Sequence, residues 1–251
     1  MGIKINKLLT KGGALFLADD QGIEHGPTDF NEKNVDPNYI IDIAKKGKYN
    51  GIVFQKGIAE KYRNEISKSG VPLIIKLNGK TNLYKGEPIS RQICSVKEAI
   101  KLDAVAVGYT IYIGSKYESE MLSEFGKIEE EAHKNGLPII VWIYPRGKSV
   151  KGKSKKDLMA YATRTGLEIG ADIIKVRYEG DLNDLKWAVK SAGKTKVVIA
   201  GGTKKQESKF LKQVKEIKKS GAIGLAIGRN IWQSREPLKL TSKIKRVLWG
   251  K

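Results

Sequence analysis

The stretch "IGLAIGRN", residues 223–230, decides the fold because its two faces differ so much in size. Successive side chains of a strand point to opposite faces. One face carries Ile223, Leu225 and Ile227, and the other only Gly224, Ala226 and Gly228. The bulky face is expected to meet covering helices and the bare face to look inward.

Seven further short aliphatic runs precede it: "ALFLAD" (14–19), "GIVF" (51–54), "PLIIKL" (72–77), "AVAVG" (104–108), "PIIVWI" (138–143), "DIIKV" (172–176) and "KVVIA" (196–200). Between most of them lie segments of helical period, among them "DPNYIIDIAKKG", "SEMLSEFGKIEEEAHKNG", "KKDLMAYATRTGLEIG" and "DLNDLKWAVKSAG", many closing on a glycine. Eight strand and helix units in 251 residues predict an α/β fold, a single-domain (β/α)8 TIM barrel over residues 1–251. The helix expected within Gly57–Gly70 is short. Alternation alone also permits an open doubly wound sheet.

Strand parity then places the polar groups. In "LFLADDQG", Leu15 and Leu17 point outward while Ala18 and Asp20 share the inner face. In "IIVWIYPRG", Ile139, Val141 and Ile143 face out, leaving Trp142, Tyr144 and Arg146 inside. The same count puts Lys175 of "DIIKVRY" and Lys76 of "LIIKLNG" on the inner wall. All lie near the C-terminal ends of their strands, where barrels of this kind place their chemistry.

A lysine inside a barrel is either paired with an acid or held partly neutral. An ordinary amine of pKa ~10.4 is less than ~0.1% neutral at pH 7, so a nucleophilic one needs desolvation or a neighbouring cation. Lys175 and Lys76 can supply that neighbour for each other, and parity does not choose between them. Such an amine forms a Schiff base with a carbonyl, and the cationic nitrogen stabilises an adjacent carbanion. Asp20 suits proton transfer at the imine and Tyr144 suits acid and base work on a substrate hydroxyl. A buried Lys175–Asp20 ion pair without chemistry is the competing reading.

Two glycine loops follow the seventh and eighth strands: "AGGTKK", with Gly201 and Gly202, and "AIGRN", with Gly228 and Arg229. Backbone N–H groups of such loops approach an anion closely, and this pair of loops is the usual phosphate cradle of the barrel. The basic loop "GKSVKGKSKKD" (147–157) reads as solvated rather than as a second phosphate clamp. "GYTIYIGS" (108–115) reads as a pocket wall after the fourth strand, and Cys94 and His133 as structural residues of outer helices.

Composition narrows the rest. The net charge of +20, from 47 Lys and Arg against 27 Asp and Glu, favours anionic ligands. No zinc-finger, RRM or basic-zipper pattern accompanies it, so nucleic acid is not the expected partner. A catalytically dead barrel using its charge to bind nucleic acid is the rival from another class. One cysteine and two histidines leave no disulfide framework, no expected metal site and no expected cofactor. Cytoplasmic placement without a membrane anchor is expected.

In order, "DQGIEHGP", "VWIYPRG", "DIIKVRY", "AGGTK" and "AIGRN" resemble motifs of the archaeal-type class I fructose-bisphosphate aldolases, in the DhnA-like, DeoC-LacD-type barrel family. The resemblance runs from Leu15 to Trp249. It implies that Lys175 is the Schiff-base lysine, Tyr144 the proton donor and acceptor, Asp20 an assistant at the imine and Trp142 a wall of the pocket. It assigns Gly201, Gly202, Gly228 and Arg229 to the phosphate of the dihydroxyacetone half, and His25 and Arg146 to the other end of a phosphorylated sugar substrate. It also implies a homo-oligomer, a ring or stacked rings. Gln21 stands where relatives usually carry histidine, and Asp19 beside Asp20 offers a second acid. The same family holds the 2-amino-3,7-dideoxy-D-threo-hept-6-ulosonate synthases, the same-fold alternative, and an autoinducer-processing thiolase.

Overall fold

The structure, a computed structural model, describes residues 2–250; the expected single domain of residues 1–251 reaches one residue past them at each end. Eight parallel strands close into a barrel: β1 Ala14–Ala18, β2 Gly51–Gln55, β3 Leu73–Lys76, β4 Ala106–Ile113, β5 Ile139–Pro145, β6 Ile173–Arg177, β7 Lys196–Ala200 and β8 Gly224–Ile227. Each pairs with its neighbours in sequence, and β1 pairs with β8 in the register Ala14↔Gly224 to Leu17↔Ile227. That last ladder excludes the open doubly wound sheet.

Helices cover the outside, and their ends are written into the sequence. Asp36 caps Pro37–Lys46 through the N–H of Asn38, with proline at the first turn. Ser154 caps Lys155–Glu168, and Asp181 caps Leu182–Ser191 at two N–H groups. The short second helical segment breaks at Tyr62 into Lys56–Lys61 and Arg63–Ser69. Leu15, Leu17, Ile139, Val141, Ile143, Ile174, Val176, Leu225 and Ile227 all pack into the layer between strands and helices, as parity requires.

A smaller cluster fills the barrel: Phe16, Val53, Ile74, Ile140, Ile173, Val198 and Ala226, closed at the base by Leu8 from the one-turn helix Ile5–Leu8. Ile223 departs from the expected outer face and packs against this inner cluster. The cause is Gly224, whose φ of 155° breaks the alternation, and whose added Cβ would stand 1.8 Å from the Ala14 carbonyl oxygen. β4 is also longer than its aliphatic run: the expected wall "GYTIYI" belongs to the strand itself, and it lines the pocket through Thr110 and Tyr112. The loop after β3 carries an additional two-residue pairing, Asn78–Gly79 with Arg91–Gln92.

Candidate active site

The C-terminal ends of the strands surround one polar pocket. Asp20 enters just past β1, Lys76 from β3, Trp142 and Tyr144 from β5, and Lys175 and Arg177 from β6. Gly201 and Gly202 follow β7, and Gly228 and Arg229 follow β8. Inner-face parity delivers each strand residue, because positions 173, 175 and 177, or 142 and 144, share one side of the pleat.

The floor holds both lysines, each 6% exposed. Lys76 Nζ lies 3.7 Å from Asp20 Oδ2. The Trp142 indole sits within reach of both amines, its centre 4.8 Å from Lys175 Nζ and 5.2 Å from Lys76 Nζ. It fits there because position 108 on β4 is glycine: a Cβ at Gly108 would lie 2.1 Å from the ring. The indole Nε1–H has no partner.

Burial sets the protonation of this floor. Loss of water pushes the Lys175 amine down to about 8; Asp20 opposes that shift, and the Lys76 charge adds to it. Burial lowers Lys76 as well, against the pull of Asp20 and Glu24. The Tyr144 phenol is driven well above its ordinary range by burial and then by the Asp20 charge, with Arg177 and Arg146 pulling the other way. It therefore keeps its proton through the neutral range. Asp19, on the opposite side of the chain from Asp20, is pushed up to about 8 by burial and then by the Asp20 charge. Of the two acids, Asp20 faces the pocket.

Two groups of charged contacts shape the rim. Arg146 Nη1 donates to Glu24 Oε1 at 3.0 Å, and its guanidinium lies over the rings of Tyr112 and Tyr144, at 5.2 and 5.5 Å. On the other side, Asp29 Oδ2 is 2.5 Å from His25 Nδ1 and 3.5 Å from Arg229 Nη1. The sequence groups His25 with Arg146, but these pairs divide them: the one-turn helix Gly22–His25 sends Glu24 toward Arg146 and His25 toward Arg229. Asn230 holds the glycine loops together, its Nδ2 donating to the carbonyls of Gly201 and Thr203 while its Oδ1 accepts from the Lys205 N–H.

A barrel mouth with a buried, downshifted lysine, a buried tyrosine, an acid and paired glycine loops is the setting for imine chemistry on a phosphorylated carbonyl compound. The sequence profile of the DeoC/LacD family aldolases matches residues 14–234. The chain belongs to the DeoC/LacD aldolases.

Within that family it is 49% identical over 243 residues to a class 1 fructose-bisphosphate aldolase of Thermoproteus tenax, covering 96% of this chain and 91% of the relative. It is 42% identical over 240 residues to the class 1 enzyme of Halobacterium salinarum, covering 95% and 91%. An archaeal fructose-1,6-bisphosphate aldolase, solved with its catalytic lysine covalently bound to the carbinolamine intermediate of the substrate, superposes with a TM-score of 0.93 at 47% identity over 98% of both chains.

In this DeoC/LacD aldolase the pocket gathers every residue singled out from sequence: Asp20, His25, Trp142, Tyr144, Arg146, Lys175, Gly201, Gly202, Gly228 and Arg229. It also gathers Gln55, Lys80 and Arg177, which sequence reasoning passed over, and Tyr112, from the stretch 108–115 read as a pocket wall. Arg177 was within reach of the parity argument, two residues beyond Lys175. The lysines of the loop after β5 stay out of the pocket wall. His133 sits on the outer helix Glu118–Lys134, paired with Glu129 and Asp172; Cys94 is buried in the loop ahead of Val96–Lys101 and not on the helix itself.

Proposed function

We propose that this chain is a class I, metal-independent fructose-bisphosphate aldolase that reversibly cleaves fructose 1,6-bisphosphate to dihydroxyacetone phosphate and glyceraldehyde 3-phosphate, the carbon–carbon step shared by glycolysis and gluconeogenesis. The observation that carries this reading is Lys175, a buried amine brought down to about 8 beside Asp20 and Tyr144.

The amine of Lys175 adds to the C2 carbonyl to give a carbinolamine. Tyr144 gives its proton to the departing hydroxyl, water leaves and a cationic imine remains. The resulting Tyr144 phenolate, strongly basic in its buried setting and with the Arg146 and Arg177 guanidinium groups over its ring, then takes the proton of the C4 hydroxyl. The C3–C4 bond breaks, its electrons flow into the imine to form an enamine, and glyceraldehyde 3-phosphate departs. Protonation at C3 by Tyr144 and addition of one water release dihydroxyacetone phosphate and restore both side chains. Asp20 compensates the imine charge, and the free indole N–H of Trp142 offers a donor to a substrate oxygen. Gly201, Gly202, Gly228 and Arg229 hold the phosphate of the dihydroxyacetone half, with His25 beside them through their shared partner Asp29, and Arg146 binds the remainder of the sugar phosphate.

Borohydride reduction in the presence of dihydroxyacetone phosphate, followed by peptide mass spectrometry, tests the reading. One reduced adduct on Lys175, with cleavage unaffected by a chelator, is the expected result. No adduct, or cleavage abolished by the chelator, overturns it. A homo-oligomer, a ring or stacked rings, belongs to the same proposal and rests on the family resemblance; cytoplasmic placement belongs to it too and rests on the single cysteine, which suits a reducing compartment.

A further inference from the structure

The reaction just described uses one lysine, yet the floor holds two. Lys76 is as buried as Lys175 and comes from a different strand. Its Nζ is 3.7 Å from Asp20 Oδ2, and Asp20 is itself only 9% exposed. Stability alone does not account for the pair. Taking two charges out of water costs several kcal/mol per ion, and well-packed apolar residues in place of a buried pair are often neutral or stabilising. The Trp142 ring ties the pair to the reacting end of the pocket, since it touches Lys76 from one strand and Lys175 from another.

We propose that Lys76 is a positioning residue for the imine reaction: its ammonium holds the Asp20 carboxylate and keeps a second positive charge in the floor, so that Asp20 does not neutralise Lys175 as a simple ion pair. This rests on Lys175 being the Schiff-base lysine. The charges around Lys175 are Asp20 at the end of β1, Glu24 on the one-turn helix, Lys76 on β3 and Arg177 on β6. The two acids favour its ammonium form, and Lys76 and Arg177 oppose it. Of the two cations, Lys76 is the one that forms an ion pair with Asp20 among the described residues. Removing its charge takes away one repulsion and frees the acid, and both changes raise the pKa of Lys175.

The test is the pH dependence of borohydride trapping on Lys175 with dihydroxyacetone phosphate, in the unmodified enzyme and in Lys76→Met, Lys76→Gln and Lys76→Arg. A rise of one pKa unit lowers the neutral amine about tenfold on the acid side. Trapping by the Met and Gln variants is therefore expected to fall about tenfold at pH 7 and to recover toward the unmodified enzyme by pH 10, with the Arg variant keeping the original profile. Gln retains polarity at the site, so it gives the answer if Met fails to fold. The proposal is overturned if the Met or Gln profile superimposes on the original, if Arg shifts as far as Gln, or if the adduct sits on Lys76. Absence of any Lys175 adduct in the unmodified enzyme would instead remove the reading on which the proposal rests.

Discussion

The indole of Trp142 occupies the space where Gly108 would carry a side chain: a Cβ there would lie 2.1 Å from the ring. The contact joins two neighbouring strands, and the same ring lies 4.8 Å from Lys175 Nζ. Gly108→Ala must displace the ring or the β4 backbone. The expected cost is about 1–3 kcal/mol, the usual range for overpacking a core, together with at least a tenfold loss of turnover. Trp142→Phe in the same chain should recover part of the stability and none of the turnover. Denaturant unfolding of the four chains of this cycle checks it, and additive losses would show that the two positions are not coupled.

The pH profile should report Lys175. With its amine brought down to about 8, kcat/KM for fructose 1,6-bisphosphate is expected to rise about tenfold per pH unit below that value and level off above it. Asp20 raises this pKa, so Asp20→Asn should move the acid limb to lower pH while lowering the plateau by a hundredfold or more. A limb that moves upward instead would contradict the charge arrangement described for the floor.

Much of this site could be read from sequence because a strand alternates with a period of two. Once Ile139, Val141 and Ile143 were set outward, Trp142 and Tyr144 had to face in; the same counting applied to Lys175 and Lys76. Counting failed where the pattern lacks a period. Gly108 and Thr110 made the second half of β4 look like a loop, since a glycine that makes room for a distant tryptophan looks locally like a strand end. Leu8, a lone apolar residue in a single helical turn, carries no periodic signal, although it closes the barrel. The division of Glu24 and His25 between two rim arginines depends on a turn of four residues and on Asp29, which no spacing rule connects to Arg229.

Arg229→Gln tests the proposed phosphate site apart from the chemistry. Arg229 stands beside the glycine cradle and off the floor that holds Lys175. Loss of one charge-assisted contact to phosphate is worth about 1.5–3 kcal/mol, so KM and the dissociation constant of inorganic phosphate should rise roughly 10- to 100-fold. Turnover at saturation should stay within about threefold, the pattern for an interaction made equally in the ground and transition states. Steady-state kinetics with calorimetric phosphate titration measures both. A turnover loss as large as that of Tyr144→Phe, expected at 100-fold or more, would place Arg229 in the chemical step instead.

Asp19 should make the protein less stable as pH rises. Asp19 is 3% exposed, its Oδ1 has no hydrogen-bond partner among the described residues, and burial with the adjacent Asp20 charge pushes the carboxyl up to about 8. In the unfolded chain it titrates near the ordinary value of 3.8. Between those two values the folded chain binds a proton that the unfolded chain has released, so this group's contribution is fully present below about pH 4 and is lost as pH climbs through 8. Asp19→Asn keeps the shape and removes the titration. Its unfolding free energy relative to the parent should therefore improve steadily from pH 5 to pH 8, by on the order of 2–4 kcal/mol across the interval. Urea unfolding at several pH values provides the measurement, and a difference between the two chains that does not change with pH would show that Asp19 is ionised in the folded barrel.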